Sequence, residues 1–285
     1  MEPWLIALDL DGTLLKKDHT IGEATKSALQ QAMSLGHIVT IATGRPPRAA
    51  VAAYQALQLT TPLIALNGAY IKFSNQPRDI SVTTLSQDVI EAISQEAIAM
   101  GSRGMLGEIG DHCVIRHSDR PMWMDEEHEH FFYQAVVAET PENPAIYLTL
   151  SEAWPNNAYS LLIQLPKRQH PQFYRWIHTH WPDQIYIRSW RDPFDVVEIM
   201  PIGVSKATGL RKIQQHYGIS PLRIMAFGDE MNDLEMFNYA SISVAMGNAN
   251  PALLPHATYI TDDCENEGIA AYLNTHFFTQ HFRVT

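Results

Sequence analysis

The sequence predicts an α/β protein in which a mostly parallel sheet, flanked by helices, is interrupted by an inserted α+β domain. Short apolar runs alternate with helical patterns in residues 1–82 and again in residues 201–285. This alternation is typical of parallel strands covered by helices. Residues 83–200 differ, because they hold five of the six tryptophans and several separated strand-like runs. We therefore expect two domains, the second inserted into the first.

The first half of the core is predicted to contain three strands and two helices. They are strand Trp4–Leu8, helix Glu23–Leu35, strand Ile38–Ala42, helix Pro47–Leu57 and strand Leu63–Leu66. The first helix is expected to bury one face, formed by Ala24, Ala28, Ala32 and Leu35, and to end at Gly36.

The same pattern returns after the insertion. The predicted elements are helix Ser205–Tyr217, closed by Gly218, then strand Leu222–Phe227, helix Glu230–Tyr239 and strand Ile242–Ala245. Inside the insertion, Ser160–Leu165 and Val196–Ile199 are predicted to be strands.

Composition narrows the class of protein. The 285 residues are enough for two domains of ordinary size. The net charge of −11 disfavours nucleic acid and anionic lipid as partners. The longest apolar runs span about five residues, far fewer than the roughly 20 that cross a bilayer, and no secretory signal is recognisable. Only two cysteines, Cys113 and Cys264, are present, which favours a cytoplasmic location.

Two carboxylates, Asp9 and Asp11, stand where the first apolar run ends, and Gly12 and Thr13 follow them. Alternate strand residues face the same side, so both acids are expected to point into one small volume. Like charges held so close repel each other unless a cation, a shared proton or a chemical task compensates.

Three further polar segments follow predicted strands or begin predicted helices. They are "IATGR" with Thr43, Gly44 and Arg45, "PIGVSKATGL" with Lys206, and "FGDEMNDLEMF" with Asp229, Asn232 and Asp233. Open α/β sheets bind ligands at the carboxyl ends of their strands.

Carboxylates such as Asp9 and Asp229 suit Mg²⁺. Thr43, Lys206 and backbone N–H groups could neutralise phosphoryl oxygens, while one acid of the first pair attacks phosphorus and the other handles a proton.

Six motifs of this chain occur in order and at compatible spacing: "DLDGTL", "ATGRP", "NGA" at residues 67–69, "GVSK", "GDEMND" and "AMGNA" at residues 245–249. Together they resemble the Cof-type phosphatases of the haloacid dehalogenase (HAD) superfamily. The resemblance implies a Rossmann-like catalytic core formed by residues 1–82 and 201–285. It also implies that residues 83–200 form a type IIB cap, also called C2B, which closes over the site and sets substrate specificity.

The resemblance also implies a role for each motif residue. Asp9 would be the nucleophile and a Mg²⁺ ligand, and Asp11 the general acid and base, ligating the metal through its backbone carbonyl. The other implied metal ligands are Asp229 and Asp233. The implied substrate and phosphate contacts are Thr43, Gly44, Arg45, Asn67, Gly68, Lys206 and Asn232. Two points stay open: Arg45 could instead pair with a core carboxylate, and Cys264 stands where relatives often carry Asn.

The expected function is a Mg²⁺-dependent phosphomonoester hydrolase acting on a small phosphorylated metabolite, such as a sugar phosphate or a phosphorylated cofactor. Two alternatives remain, a phosphosugar mutase and a phosphometabolite-binding sensor without turnover. The acidic, histidine-containing run Glu126–His130 lacks metal-site spacing and favours a solvated helix.

Overall fold

A computed structural model describes residues 2–73, 80–117, 132–141, 143–190 and 194–281. Glu126–His130, with its expected helix, lies outside the described residues. The chain divides into two compact units. Residues 1–81 and 205–285 form the core unit, and residues 82–204 form the inserted unit.

The strands, in chain order, are β1 Leu5–Leu8, β2 Ile38–Ala42, β3 Leu63–Ala65, β4 Tyr70–Lys72, β5 Ile80–Val82, β6 Gly104–Ile109, β7 His112–His117, β8 Ile146–Thr149, β9 Ser160–Gln164, β10 Ile185–Ser189, β11 Val196–Pro201, β12 Ile224–Gly228, β13 Ile242–Ala245 and β14 Tyr259–Ile260. The helices are α1 Glu23–Ser34, α2 Pro47–Ala56, α3 Gln87–Ala99, α4 His170–His180, α5 Lys206–Tyr217, α6 Leu234–Tyr239, α7 Gly268–Tyr272 and α8 Phe278–His281.

The sheet of the core unit has the strand order β14-β13-β12-β1-β2-β3-β4-β5. Pairing is parallel from β14 to β3, and β4 runs antiparallel to β3. All four residues of β1 are buried, as expected for a central strand covered on both faces. Because Leu8 is in register with both Phe227 and Ile41, the residues that follow β1, β2 and β12 emerge at one edge of the sheet.

The buried face of α1 differs from the sequence prediction. Thr25, Ala28, Leu29 and Ala32 are buried, whereas Ala24 and Leu35 are exposed. The four predicted residues span about 80° of the helix circumference, and the four buried residues span about 100°. The buried stripe is rotated by about 50° from the predicted one, so Thr25 and Leu29 take the places of Ala24 and Leu35 on the buried face.

Two predicted elements after the insertion begin later than expected. Leu222 is exposed in a short turn, Pro221–Arg223, and β12 starts only at Ile224. The helix predicted from Glu230 starts with a 3₁₀ turn, Met231–Asp233, and α6 follows it. The turn is tight because the Asp233 carboxylate accepts hydrogen bonds from the backbone N–H groups of Asp229 and Glu230.

The inserted unit is built on a six-stranded sheet in the order β10-β11-β9-β6-β7-β8, antiparallel except between β7 and β8. Helices α3 and α4 cover one face through an apolar cluster that includes Ile93, Trp154 and Phe173. The segment 132–137 packs on the opposite face, where Phe132 contributes to a second apolar cluster. Nowhere in the described part of the chain is a helix both long and apolar enough to cross a membrane.

Candidate active site

Asp9 and Lys206 form a buried ion pair at the carboxyl edge of the core sheet. Asp9 directly follows β1, and its backbone N–H donates to the carbonyl of Phe227. Lys206 is the first residue of α5, whose preceding Ser205 caps the helix through the Thr208 N–H. The Lys206 ammonium donates to Oδ1 of Asp9 and, at 2.7 Å, to Oδ1 of Asp233. Within the described residues, Lys206 is the one side chain that hydrogen-bonds to the Asp9 carboxylate.

Asp229 completes a cluster of three carboxylates at this edge. It follows β12, and its Oδ1 accepts a hydrogen bond from the Thr13 hydroxyl at 3.0 Å. One oxygen each from Asp9, Asp229 and Asp233 lies within 4.8 Å of the others. Carboxylate oxygens in such a group are the ligands that hard divalent cations prefer.

The electrostatics of this cluster favour a cation. Burial raises the pKa of Asp9 well above its ordinary value, and repulsion from Asp233 raises it further. Burial and the charge of Asp233 also raise the pKa of Asp229, to about 7. Burial would lower the pKa of Lys206, but the carboxylates of Asp233 and Asp9 raise it overall. Fully ionised, three carboxylates face one ammonium, so a divalent cation matches the excess charge.

Asp11 pairs with a different cation from Asp9. Nε of Arg45 donates to Oδ2 of Asp11 at 2.8 Å, and Nη2 of Arg45 donates to Oδ1. Arg45 is buried, while the Asp11 side chain is 38% exposed. Of the two possibilities that the sequence left open for Arg45, the structure contains the pair with a core carboxylate.

The remaining predicted contacts of the "ATGR" and "NGA" motifs lie together after β2 and β3. The Thr43 hydroxyl accepts from the Arg45 N–H at 3.0 Å, and the Thr43 carbonyl accepts from the Asn67 N–H. Nδ2 of Asn232 donates to Oδ1 of Asn67 at 3.1 Å. A Cβ on Gly44 would lie 3.3 Å from that same oxygen. Residues from three separate motifs therefore meet around Asn67, the "ATGR" motif through its backbone.

Gly68 has a packing role in this arrangement. Its φ of +98° is in the left-handed region that favours glycine, and a Cβ there would lie 2.3 Å from the carbonyl oxygen of Ser205. The turn after β3 therefore lies directly against the start of α5, the helix that carries Lys206.

Asn248 is a site residue that no sequence argument singled out. Its Nδ2 donates to the carbonyl of Gly12 at 2.8 Å and lies 3.4 Å from Oδ2 of Asp229, while its Oδ1 accepts from the Cys264 N–H. The loop of Cys264 thus supports the site through its backbone, and burial raises the pKa of the Cys264 thiol. The signal was present, because Asn248 belongs to "AMGNA", which follows β13 beside β12.

Comparisons with known proteins agree with this architecture. A sequence model of the haloacid dehalogenase-like hydrolase family matches residues 6–273 of this chain. The chain is 35% identical to the 5-amino-6-(5-phospho-D-ribitylamino)uracil phosphatase YitU of Bacillus subtilis, covering 97% of this chain and 98% of YitU. It is 30% identical to the pyridoxal phosphate phosphatase YbhA of Escherichia coli, covering 95% and 98% of the two chains.

A solved structure supports the fold. The HAD subclass IIB sugar phosphatase BT4131 superimposes with a TM-score of 0.78 at 24% identity, covering 96% of this chain and 98% of BT4131. The inserted α+β unit is consistent with the expected type IIB cap. With the family model matching nearly the whole chain, this protein belongs to the haloacid dehalogenase-like hydrolase family.

Proposed function

We propose that this protein is a Mg²⁺-dependent phosphomonoester hydrolase in which Asp9 is the nucleophile. One observation carries the proposal: Lys206 holds one oxygen of a buried carboxylate inside a cluster of three acids. A carboxylate fixed in this way presents its other oxygen for attack. Membership of the hydrolase family and the phosphatase names of YitU and YbhA support the same reaction.

The proposed reaction has two steps. In the first, an oxygen of Asp9 attacks phosphorus, the bond to the leaving oxygen breaks, and Asp11 gives that oxygen a proton. In the second, water loses a proton to Asp11 and attacks the phosphorus of the aspartyl-phosphate. Inorganic phosphate leaves, and the Asp9 carboxylate and the protonated Asp11 are restored. Thr43, Gly44, Lys206 and the amide of Asn232 would hold the phosphoryl oxygens.

The carboxylates of Asp9, Asp229 and Asp233, with the backbone carbonyl of Asp11, would hold the Mg²⁺. When bound, Mg²⁺ would neutralise the charge that develops on the phosphoryl oxygens. Asp233 also fixes the positions of neighbouring groups, since its carboxylate accepts hydrogen bonds from Lys206 and from two backbone N–H groups. Asn248 would keep Asp229 in place.

The proposed substrates are small phosphorylated metabolites such as sugar phosphates or phosphorylated cofactors. The named substrates of YitU and YbhA, a phosphoribitylamino pyrimidine and pyridoxal phosphate, support this class. We assign substrate selectivity to the inserted unit, and the near absence of cysteine supports a cytoplasmic location.

A phosphate-release assay with Mg²⁺ tests the proposal. The panel contains pyridoxal phosphate, a ribityl phosphate, hexose phosphates and 4-nitrophenyl phosphate, with chelator and Asp9→Asn as controls. Release from at least one ester that needs both Mg²⁺ and Asp9 is expected. Isomerised sugar phosphate without release would favour a mutase, and tight binding without either reaction would favour a sensor.

A further inference from the structure

The two acids of the "DLDGTL" motif are held by two different cations. Lys206 bonds to Asp9, and Arg45 bonds to Asp11. In the proposed hydrolase, Asp9 is the nucleophile and Asp11 is the general acid. Each cation therefore contacts a carboxylate that has a different role in the reaction.

Arg45 forms a bidentate ion pair with the two carboxylate oxygens of Asp11, a two-pronged contact. Nε reaches Oδ2 at 2.8 Å, and Nη2 donates to Oδ1. A planar guanidinium that engages both oxygens fixes the plane and the direction of a carboxylate, which a lysine ammonium cannot do. Each Asp11 oxygen keeps a second lone pair for a leaving group or a water molecule.

Arg45 is itself held from several sides. Its backbone N–H donates to the Thr43 hydroxyl, and its carbonyl accepts from the Leu66 N–H. Nη1 donates to the carbonyl of Ala49 at 3.5 Å, and Nη2 lies 3.4 Å from Nδ1 of His19. All three guanidinium nitrogens therefore have protein partners, and the side chain is only 9% exposed. Such a group is better suited to hold another side chain than to bind substrate phosphate.

We infer that Arg45 is a positioning residue that acts on the reaction through Asp11 rather than by contact with the phosphoryl group. The inference rests on the proposed function, because it needs Asp11 to protonate the leaving oxygen. It differs from the family-based expectation that Arg45 contacts phosphate.

The test compares Arg45→Lys, which keeps the charge but loses the two-pronged contact, with wild type on two esters in saturating Mg²⁺. Glycerol phosphate has a leaving oxygen that needs a proton, whereas 4-nitrophenyl phosphate needs little protonation. For glycerol phosphate, we expect kcat to fall on the order of 10- to 100-fold with little change in KM. For 4-nitrophenyl phosphate, formation of the aspartyl-phosphate should be nearly unchanged, measured as a burst of 4-nitrophenol.

A double-mutant comparison tests whether Arg45 affects the reaction through Asp11. If Arg45 acts through Asp11, adding Arg45→Lys to Asp11→Asn should cause no further loss. A merely structural role for Arg45 would slow both esters equally and add to the effect of Asp11→Asn. Arg223→Lys is the matched control, because Arg223 pairs with Glu2 at the surface and this variant should behave as wild type.

Other outcomes overturn the inference. A direct phosphate contact predicts a higher KM for both esters and weaker inhibition by inorganic phosphate in Arg45→Lys. Arg45→Gln provides a second variant, and circular dichroism of each variant shows whether it is folded. Failure of the proposed function is visible separately, because wild-type protein would then release phosphate from no ester, including every ester of the panel described above.

Discussion

Buried charges are arranged differently in the two units. In the core unit, the carboxylates of Asp9, Asp229 and Asp233 share the single ammonium of Lys206. In the inserted unit, two ion pairs each have one buried member: buried Arg116 pairs with Glu91 at 2.9 Å, and buried Glu198 pairs with Arg188 at 2.6 Å.

Each ion pair of the inserted unit has further contacts within that unit. The Arg116 guanidinium lies 5.1 Å from the centre of the Trp154 ring and also donates to the Leu150 carbonyl. Glu198 receives a further hydrogen bond from Nε1 of Trp190 at 3.0 Å. The two pairs of the inserted unit balance their charges within the chain, whereas the three carboxylates of the core unit exceed the charge of the one ammonium beside them, an excess that a divalent cation could match. The comparison therefore distinguishes balanced ion pairs from a cluster that could hold a cation.

Asp9→Asn should produce the largest effect. Turnover should fall on the order of 10⁴-fold or more, because the nucleophile is lost. The melting temperature of the metal-free protein should not fall, because the substitution removes one of the unmatched charges. Phosphate release and thermal denaturation in chelator measure the two effects. Asp183→Asn, at an exposed position, is the control, and near-normal kcat for Asp9→Asn would exclude the covalent mechanism.

Arg116→Met tests the matched Arg116–Glu91 ion pair of the inserted unit. It leaves the partly exposed Glu91 without its cation, so the free energy of unfolding should fall by about 1–3 kcal/mol. Urea unfolding followed by tryptophan fluorescence measures this, because five of the six tryptophans lie in residues 83–200. Adding Glu91→Leu should recover part of the loss. Unchanged stability in Arg116→Met would mean that this matched pair is not structural.

Asn248→Ala should weaken Mg²⁺ binding by roughly 10- to 100-fold, the usual cost of losing a residue that orients a metal ligand. The variant loses the donor beside Asp229 and the link to the Cys264 backbone. Titration calorimetry with Mg²⁺ measures the affinity directly. Asn274→Ala, at an exposed position of the core unit, should bind Mg²⁺ as wild type does. Equal affinities in both variants would remove Asn248 from the metal site.

Metal-free stability should depend on pH with opposite sign in the two units. Asp229 has a folded-state pKa raised to about 7, so metal-free stability should fall as pH rises from about 4 towards 7. At Glu91, burial opposes the hydrogen bonds from Gln95 and Arg116, but the net pKa is lowered. Its contribution should therefore be lost as pH falls below about 4.

Thermal denaturation between pH 3 and pH 8, with chelator or with Mg²⁺, measures both slopes. Mg²⁺ should cancel the loss of stability near neutral pH, and Asp229→Asn should flatten that slope in chelator. A metal-free melting temperature that rises steadily from pH 5 to pH 8 would contradict the assignment of unmatched charge to the core cluster.

Sequence patterns were most informative where topology forces residues together. Asp9 and Asp229 follow neighbouring parallel strands, and Lys206 starts a helix beside them, so their meeting follows from the βα alternation. The strand Ile38–Ala42 and the strand Ile242–Ala245 also have the predicted bounds, because both are short apolar runs with clear ends.

Other features depend on contacts that a linear pattern does not encode. The partner of Arg45 could not be predicted, since a guanidinium can reach a phosphate or a carboxylate from the same backbone position. Asn248 lies in a loop, and its role depends on Cys264 and Gly12, which are distant in sequence. The edge strand Tyr259–Ile260 has two exposed residues, so it has no hydrophobic pattern.

The central position of β1 has a consequence for synthesis on the ribosome. One neighbour, β2, follows it closely in the chain, but the other, β12, begins only at Ile224, after the entire inserted unit. At 5–20 residues per second, β1 waits roughly 10–40 s for this partner. During that interval one side of an apolar strand carries unpaired backbone N–H and C=O groups, which are open to other nascent chains. The inserted unit is contiguous in sequence, so the core unit is the part of this chain whose sheet stays incomplete longest during synthesis.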